Sequence, residues 1–128
     1  MEKPKKVILD VDTGIDDALA IGYAARSSDL ELIGLTTCFG NVSLQKATRN
    51  TLYVLERFGE DTPVAPGADR TLSGRPLKAE AFAIHGKDGL GEAFPHNVAI
   101  EKEPMSQHAS QFIIDQIKAN PHEVTLIC

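Results

Sequence analysis

The segment Lys6–Asp12, Lys-Val-Ile-Leu-Asp-Val-Asp, is apolar and β-branched, and it breaks at Thr13-Gly14 directly before a helical run, Ala18–Arg26. A strand feeding straight into a helix leaves no room for a hairpin, and the alternation then repeats. Leu30–Cys38 reads as a second strand. Ser43 is a suitable N-cap for a long helix, Leu44–Phe58, which keeps the helical period and stops at Gly59. Thr62–Ala65 reads as a short strand, Met105–Ala119 as a helix ended by Pro121, and Glu123–Cys128 as a last strand. Ala18–Arg26 is apolar nearly all round and is therefore predicted to be buried. Between Pro66 and about Pro104 the chain is rich in glycine, proline and charge without periodicity, which predicts a functional or disordered loop. The pattern predicts the α/β class: one domain over residues 1–128, with an open, mostly parallel sheet covered by helices on both faces.

Charge and cysteine content narrow the function classes. With 13 basic and 18 acidic residues the net charge is −5, which disfavours nucleic acid and anionic membranes as partners. Cys38 and Cys128 are the only cysteines, so no disulfide framework organises the fold. No apolar run approaches the ~20 residues of a membrane span, and the first residues lack a signal-peptide core. A cytoplasmic protein is expected. The apolar run Val124–Cys128 stops without a turn signal or polar tail, which suggests a part of a longer protein.

Sheets of this kind bind ligands beyond the carboxyl ends of their strands. That rim holds Asp10, Asp12, Thr36, Thr37 and Asn41. Asp10, Asp12, Asp16 and Asp17 place four carboxylates close together, and like charges so near each other repel unless neutralised. A hard divalent cation, calcium or magnesium, suits all-oxygen donors, and no histidine or cysteine interrupts the cluster to suggest zinc. Helix capping could account for Asp16 and Asp17. It does not account for Asp10 and Asp12 at the end of a buried strand. An EF-hand is excluded, because Ile21 stands where its bidentate glutamate is required.

The stretch Val7-Ile-Leu-Asp-Val-Asp-Thr-Gly-Ile-Asp-Asp-Ala18 resembles the DxDxGxDD signature of the inosine–uridine preferring nucleoside hydrolases. The likeness continues in order through Leu35-Thr-Thr-Cys-Phe-Gly-Asn-Val42, Thr48-Arg-Asn50, Pro66-Gly67 and Ile84-His-Gly-Lys-Asp-Gly-Leu90. It implies a Rossmann-like nucleoside hydrolase fold, truncated in this chain, and a Ca2+-dependent hydrolase of the N-glycosidic bond of ribonucleosides, acting in purine or pyrimidine salvage. Residue by residue, it implies that Asp12 ligates calcium and takes a proton from the attacking water. Asp17 matches a bidentate calcium ligand. Asp16 and Asn41 match contacts to the ribose hydroxyls. His85 lies in a loop that approaches the substrate, and Asp10 has a supporting role beside the metal. The family chain is much longer. By this alignment further calcium ligands and the leaving-group residues lie beyond Cys128, so the 128-residue chain alone is expected to be inactive, with an exposed sheet edge prone to association. Family members are commonly dimers or tetramers, so a homo-oligomer is expected. Base preference depends largely on residues outside this chain.

Two other readings compete. Asp10-Val-Asp12-Thr13 also fits the DxDxT motif of haloacid-dehalogenase-like phosphatases, with Asp10 as nucleophile, Asp12 as acid–base, magnesium as cofactor and Thr36 or Thr37 binding phosphate. That leaves Asp16, Asp17 and Gly40-Asn41 without a role. A non-catalytic, truncated binding module is the second. His108 is expected to pack beside the apolar face of its helix, and His96 and His122 to face solvent in loops.

Overall fold

The computed structural model describes residues 3–95 and 97–128. Its elements run β1 (Lys5–Val11), α1 (Ile15–Arg26), β2 (Leu30–Thr37), α2 (Leu44–Phe58), β3 (Val64–Pro66), α3 (Phe82–His85), α4 (Ala109–Ala119) and β4 (Val124–Ile127). The strands form one sheet in the order β3-β2-β1-β4. Every strand pairing is parallel: Lys5–Val11 against Leu30–Thr37, Lys6–Leu9 against Val124–Ile127, and Leu35–Thr37 against Val64–Pro66. The register slips once, where Val7 faces Leu32 and Ile8 faces Gly34, so Ile33 is the additional residue of β2. Pro66, which has no N–H to give, ends an edge strand.

Alternation along the strands divides the core in two. Leu9, Val11 and Leu35 join Ile21 and Ala24 of α1 and Leu52 and Leu55 of α2 on one face. Ile8 and Ala65 join Ala109 and Phe112 of α4 on the other, with Ile33 and Val124 packed alongside. Helices therefore cover both faces, as the alternating pattern predicts. Gly34 is required by this packing, since a Cβ there would enter the Phe112 ring.

The caps of α2 follow expectation. Ser43 Oγ accepts the Lys46 N–H at 3.4 Å, and Gly59 closes the helix with φ of 69°. Several expectations are corrected. The helix α1 is not buried all round: Leu19 is 72% and Tyr23 73% exposed. Ile21, Gly22 and Ala24 turn inward, Ala20 is exposed, and Gly22 meets the Phe58 ring so closely that a Cβ would not fit. The helix also starts earlier than expected, at Ile15, and its N-cap is Gly14. The helix α4 starts later, at Ala109. His108 is therefore its exposed N-cap, with Nδ1 accepting the Ser110 N–H at 3.2 Å, and not a packed residue. His122 is exposed, as expected, with φ of 62°. His96 lies outside the described residues.

The long connection from β3 to α4 is tied down along its course. Gly67 N–H donates to Thr37 O at 2.8 Å, and Phe39 N–H to Ala68 O at 3.0 Å. Glu80 accepts from Ser43 N–H at 2.8 Å and from Lys46 Nζ at 2.5 Å. Ala81 N–H donates to Asn41 O, and Met105 N–H to Val64 O, each at 2.8 Å. The bonds from Gly67 to Ala81 hold the first part of the connection at the carboxyl rim of the sheet, and the Met105 bond brings its end back beside the start of β3.

Candidate active site

The rim is set by where the strands stop. The pairing of β1 with β2 ends at Val11 and Thr37, so Asp12 is the first residue past the ladder. The chain then turns through Thr13 and Gly14 into α1. Thr13 and Thr37 are buried, and each hydroxyl pairs with one from α2: Thr13 with Thr51 and Thr37 with Thr48, both at 2.7 Å. A buried hydroxyl must find a partner, so these pairs anchor the ends of both central strands to one helix.

The four acids do not form one cluster. Asp10, still on β1, takes the Thr36 hydroxyl at 2.5 Å across the ladder. Asp16 is exposed on the first turn of α1. Asp12 and Asp17 do converge: the Asp12 N–H donates to Asp17 Oδ2 at 3.0 Å. Among the described residues no group of three or more metal-ligating acid, histidine or cysteine side chains comes together. Of the four carboxylates, the structure thus brings together the pair Asp12 and Asp17.

Asn41 completes that pair. Its backbone N–H reaches Asp12 Oδ2 at 2.6 Å and its Nδ2 reaches Oδ1 at 3.3 Å. Gly40 allows this approach, since a Cβ there would collide with the Asp12 carboxylate. No lysine or arginine is paired with Asp10, Asp12 or Asp17 among the described residues. Burial, the neighbouring Asp12 carboxyl and the charge on Asp16 push Asp17 up to about 7, although the Asp12 N–H opposes the rise. Uncompensated negative charge on hard oxygen donors is the environment a divalent cation relieves, so Asp12 and Asp17 fit as two of its ligands.

His85 ends α3, is 6% exposed, and accepts the Ile15 N–H on Nδ1 at 3.1 Å. That bond places the ring proton on Nε2. Asp16 Oδ1 lies 3.9 Å from the same Nδ1. A Cβ on Gly14 would enter the imidazole, so Gly14 is required by the close approach of this ring. The structure thus brings Asp12, Asp17 and Asn41 together, with His85 and Asp16 adjoining across the α1 turn, and sets Asp10 apart on Thr36. Cys38 sits nearby, but burial, with the charges of Asp10, Asp12 and Asp17, pushes its thiol up to about 11. It is no thiolate nucleophile at neutral pH.

Asn50, Arg49 and Asp88 lie in stretches that carry the family resemblance, but sequence reasoning gave them no role. Asn50 Nδ2 donates to Thr13 O and Asp88 O, and Arg49 donates to Asn50 Oδ1 and Asp88 O. Asp88 accepts the N–H groups of Leu90, Glu92 and Phe94. One signal was available: polar residues 48–51 in the middle of a helix whose period turns that stretch inward.

Known proteins resemble this chain along nearly its whole length. The family model described as inosine-uridine preferring nucleoside hydrolase matches residues 7–128. The chain is 44% identical over 126 residues to a probable uridine nucleosidase 2 of Arabidopsis thaliana, covering 96% of this chain and 38% of that protein. It is 38% identical over 127 residues to the inosine-uridine preferring nucleoside hydrolase of Crithidia fasciculata, covering 97% of this chain and 39% of that one. A solved plant nucleoside hydrolase superposes with a TM-score of 0.90 at 42% identity, over 97% of this chain and 39% of its own. The chain therefore spans well under half the length of the relatives it matches. The phosphatase reading loses its support, because the family match covers the same acidic motif and Asp10 is engaged by Thr36.

Proposed function

Because the chain belongs to the inosine–uridine preferring nucleoside hydrolase family, we propose that the protein hydrolyses the N-glycosidic bond of ribonucleosides, giving ribose and free base, with calcium as its cofactor. The observation that carries this reading is the Asp12 carboxylate, held by two donors of Asn41 beside Asp17 and unpaired with any base among the described residues. Relatives named for uridine and for inosine support a ribonucleoside substrate and leave the base open.

Asp12 and Asp17 hold the cation in this proposal. When bound, the cation would make water more acidic, calcium less so than zinc, which would leave more of the work to a base. Asp12 is that base. Asn41 donates to both oxygens of its carboxylate, which holds the group in one orientation for that role. The leaving base departs as positive charge develops on the ribose ring, and the acidic rim stabilises that charge. Asp16 and Asn41 bind ribose hydroxyls, His85 forms the wall beside them, and Asp10 supports the β1 end through Thr36.

A cytoplasmic setting accords with the free Cys38 and Cys128. No helix among the described residues is long and apolar enough to cross a membrane. Assembly as a homo-oligomer accords with the outward Leu19 and Tyr23 of α1.

The test is release of ribose from inosine, uridine and cytidine, with calcium and with chelator, by the 128-residue chain and by the full reading frame. Calcium-dependent release by the full reading frame, absent from the 128-residue chain and abolished in Asp12→Ala, is the expected result. Release that is indifferent to chelator removes the cation from the mechanism. No release from either protein leaves a binding module.

A further inference from the structure

Under the acidic rim lies a side chain that the proposed chemistry does not use. Asn50 of α2 is 0% exposed. Its Nδ2 donates to Thr13 O at 3.1 Å and to Asp88 O at 3.0 Å. Its Oδ1 accepts Arg49 Nε at 3.1 Å and Arg49 Nη2 at 2.7 Å. Every hydrogen-bonding position of the amide is filled. Reversing the amide would set oxygen against two carbonyls and its N–H groups against a guanidinium, so the network itself fixes the orientation. A buried asparagine inside a helix is costly to desolvate and a poor helix former. An apolar residue would serve the core better.

What Asn50 joins gives the reason. Thr13 O belongs to the turn between Asp12 and the Asp16–Asp17 pair. Asp88 O belongs to the loop that starts at His85. That loop returns to the same turn a second time, through Ile15 N–H and His85 Nδ1 at 3.1 Å. The loop is also internally braced. The Asp88 carboxylate accepts from the Leu90, Glu92 and Phe94 N–H groups at 2.8 Å each. Arg49 donates to Asp88 O at 2.7 Å and lies 4.2 Å above the Phe94 ring. Gly89, with φ of 84°, presses so closely that a Cβ would come within 2.7 Å of Asn50 Nδ2.

We propose that Asn50 is a positioning residue: one amide ties the turn that carries Asp12, Asp16 and Asp17 to the loop that carries His85. It sets the spacing between the acidic wall and the imidazole wall of the site. The loop is then a fixed wall, not a lid. The clamp stands on the hydrogen bonds alone, while its catalytic consequence rests on the hydrolase reading above.

The experiment combines amide hydrogen exchange with ribose release, on the protein of the full reading frame as parent and on its Asn50→Asp and Gly89→Ala variants. Asn50→Asp keeps the size but turns an acceptor toward two carbonyls. Gly89→Ala leaves Asn50 intact and drives the loop away from it. In the parent, the Ile15, Leu90, Glu92 and Phe94 amides are expected to open as one cooperative unit. In both variants these amides are expected to exchange about tenfold faster or more, while Ile8 and Leu35 keep their protection. The kcat/KM for ribose release is expected to fall about tenfold or more, at a temperature where Phe112→Ala, a purely destabilising change, stays within about threefold of the parent. Independent opening of Ile15 and the Leu90–Phe94 amides in the parent overturns the clamp, and needs no variant to fold. Unchanged kcat/KM in both variants overturns the positioning role. A parent that opens cooperatively but releases no ribose leaves the clamp standing and removes the hydrolase reading instead.

Discussion

The backbone N–H of Asp12 donates to Oδ2 of Asp17 at 3.0 Å, so a carboxylate on the first turn of α1 reaches back to cap the end of β1. An acid at that position ordinarily serves its own helix, through the dipole. Here Gly14 is the N-cap, without a side-chain bond, and the Asp17 carboxylate is drawn toward Asp12. Two acids that would repel are held together by a backbone donor between them. The cost of that proximity is visible in Asp17, which burial and its neighbours push up to about 7.

Asp17→Asn separates structure from function. The amide oxygen still accepts the Asp12 N–H, and one clustered charge is gone. The cation-free variant is expected to melt at the parent temperature or above it. The rise in melting temperature on adding calcium should largely disappear, since a ligand stabilises only in proportion to its binding. Thermal unfolding with and without calcium checks this. Equal stabilisation of variant and parent would exclude Asp17 as a ligand.

Gly40→Ala attacks the same site from β2's side. The added Cβ meets the Asp12 carboxylate, which must rotate and give up its Asn41 donors. Overpacking of this kind costs about 1–3 kcal/mol. Urea unfolding should show that loss, and ribose release by the full reading frame should fall about tenfold or more. Parent-like release would mean that the carboxylate orientation is not what matters.

Phe112→Ala tests the opposite face of the sheet. The ring is 2% exposed and fills the space that Gly34 leaves. Its removal is expected to cost about 3–5 kcal/mol in urea unfolding. A cost under about 1 kcal/mol would show that α4 contributes little to the core.

The loop after His85 should respond to acid. Burial pushes Asp88 up, but the N–H groups of Phe94, Leu90 and Glu92 and the charge of Arg49 outweigh it, and its carboxyl is held below the usual range. A depressed carboxyl contributes stability above its unfolded pKa, and loses it as pH falls through the lower folded value. Protection factors of the Leu90, Glu92 and Phe94 amides are expected to hold from neutral pH down to about 4, then decline. In Asp88→Asn the decline should vanish along with much of the protection. A loop that opens instead as pH rises would contradict the sign.

Much of the architecture was legible before any tertiary information. The apolar runs ending in polar rim residues, the Ser43 and Gly59 caps and the strand–helix alternation are local signals, and the structure follows each of them. The exposure of Leu19 and Tyr23 was not legible. An apolar helix with small residues on one side can present either side to the core until it is known which neighbour comes close, and here Phe58 takes the Gly22 side.

The site divides in the same way. The sequence by itself determined that acids would end β1 and begin α1, and that Asn41 would follow β2, because strand length and loop position place them on one rim. Only the tertiary structure decided that Asp10 would bond Thr36, that Asp12 would join Asp17 and Asn41, and that Asn50 would hold the His85 loop against the acidic turn. Periodicity reports which face of an element is apolar. Side-chain partners 26 to 38 residues apart depend on strand register and on close backbone approach, and no local pattern in the chain carries those quantities.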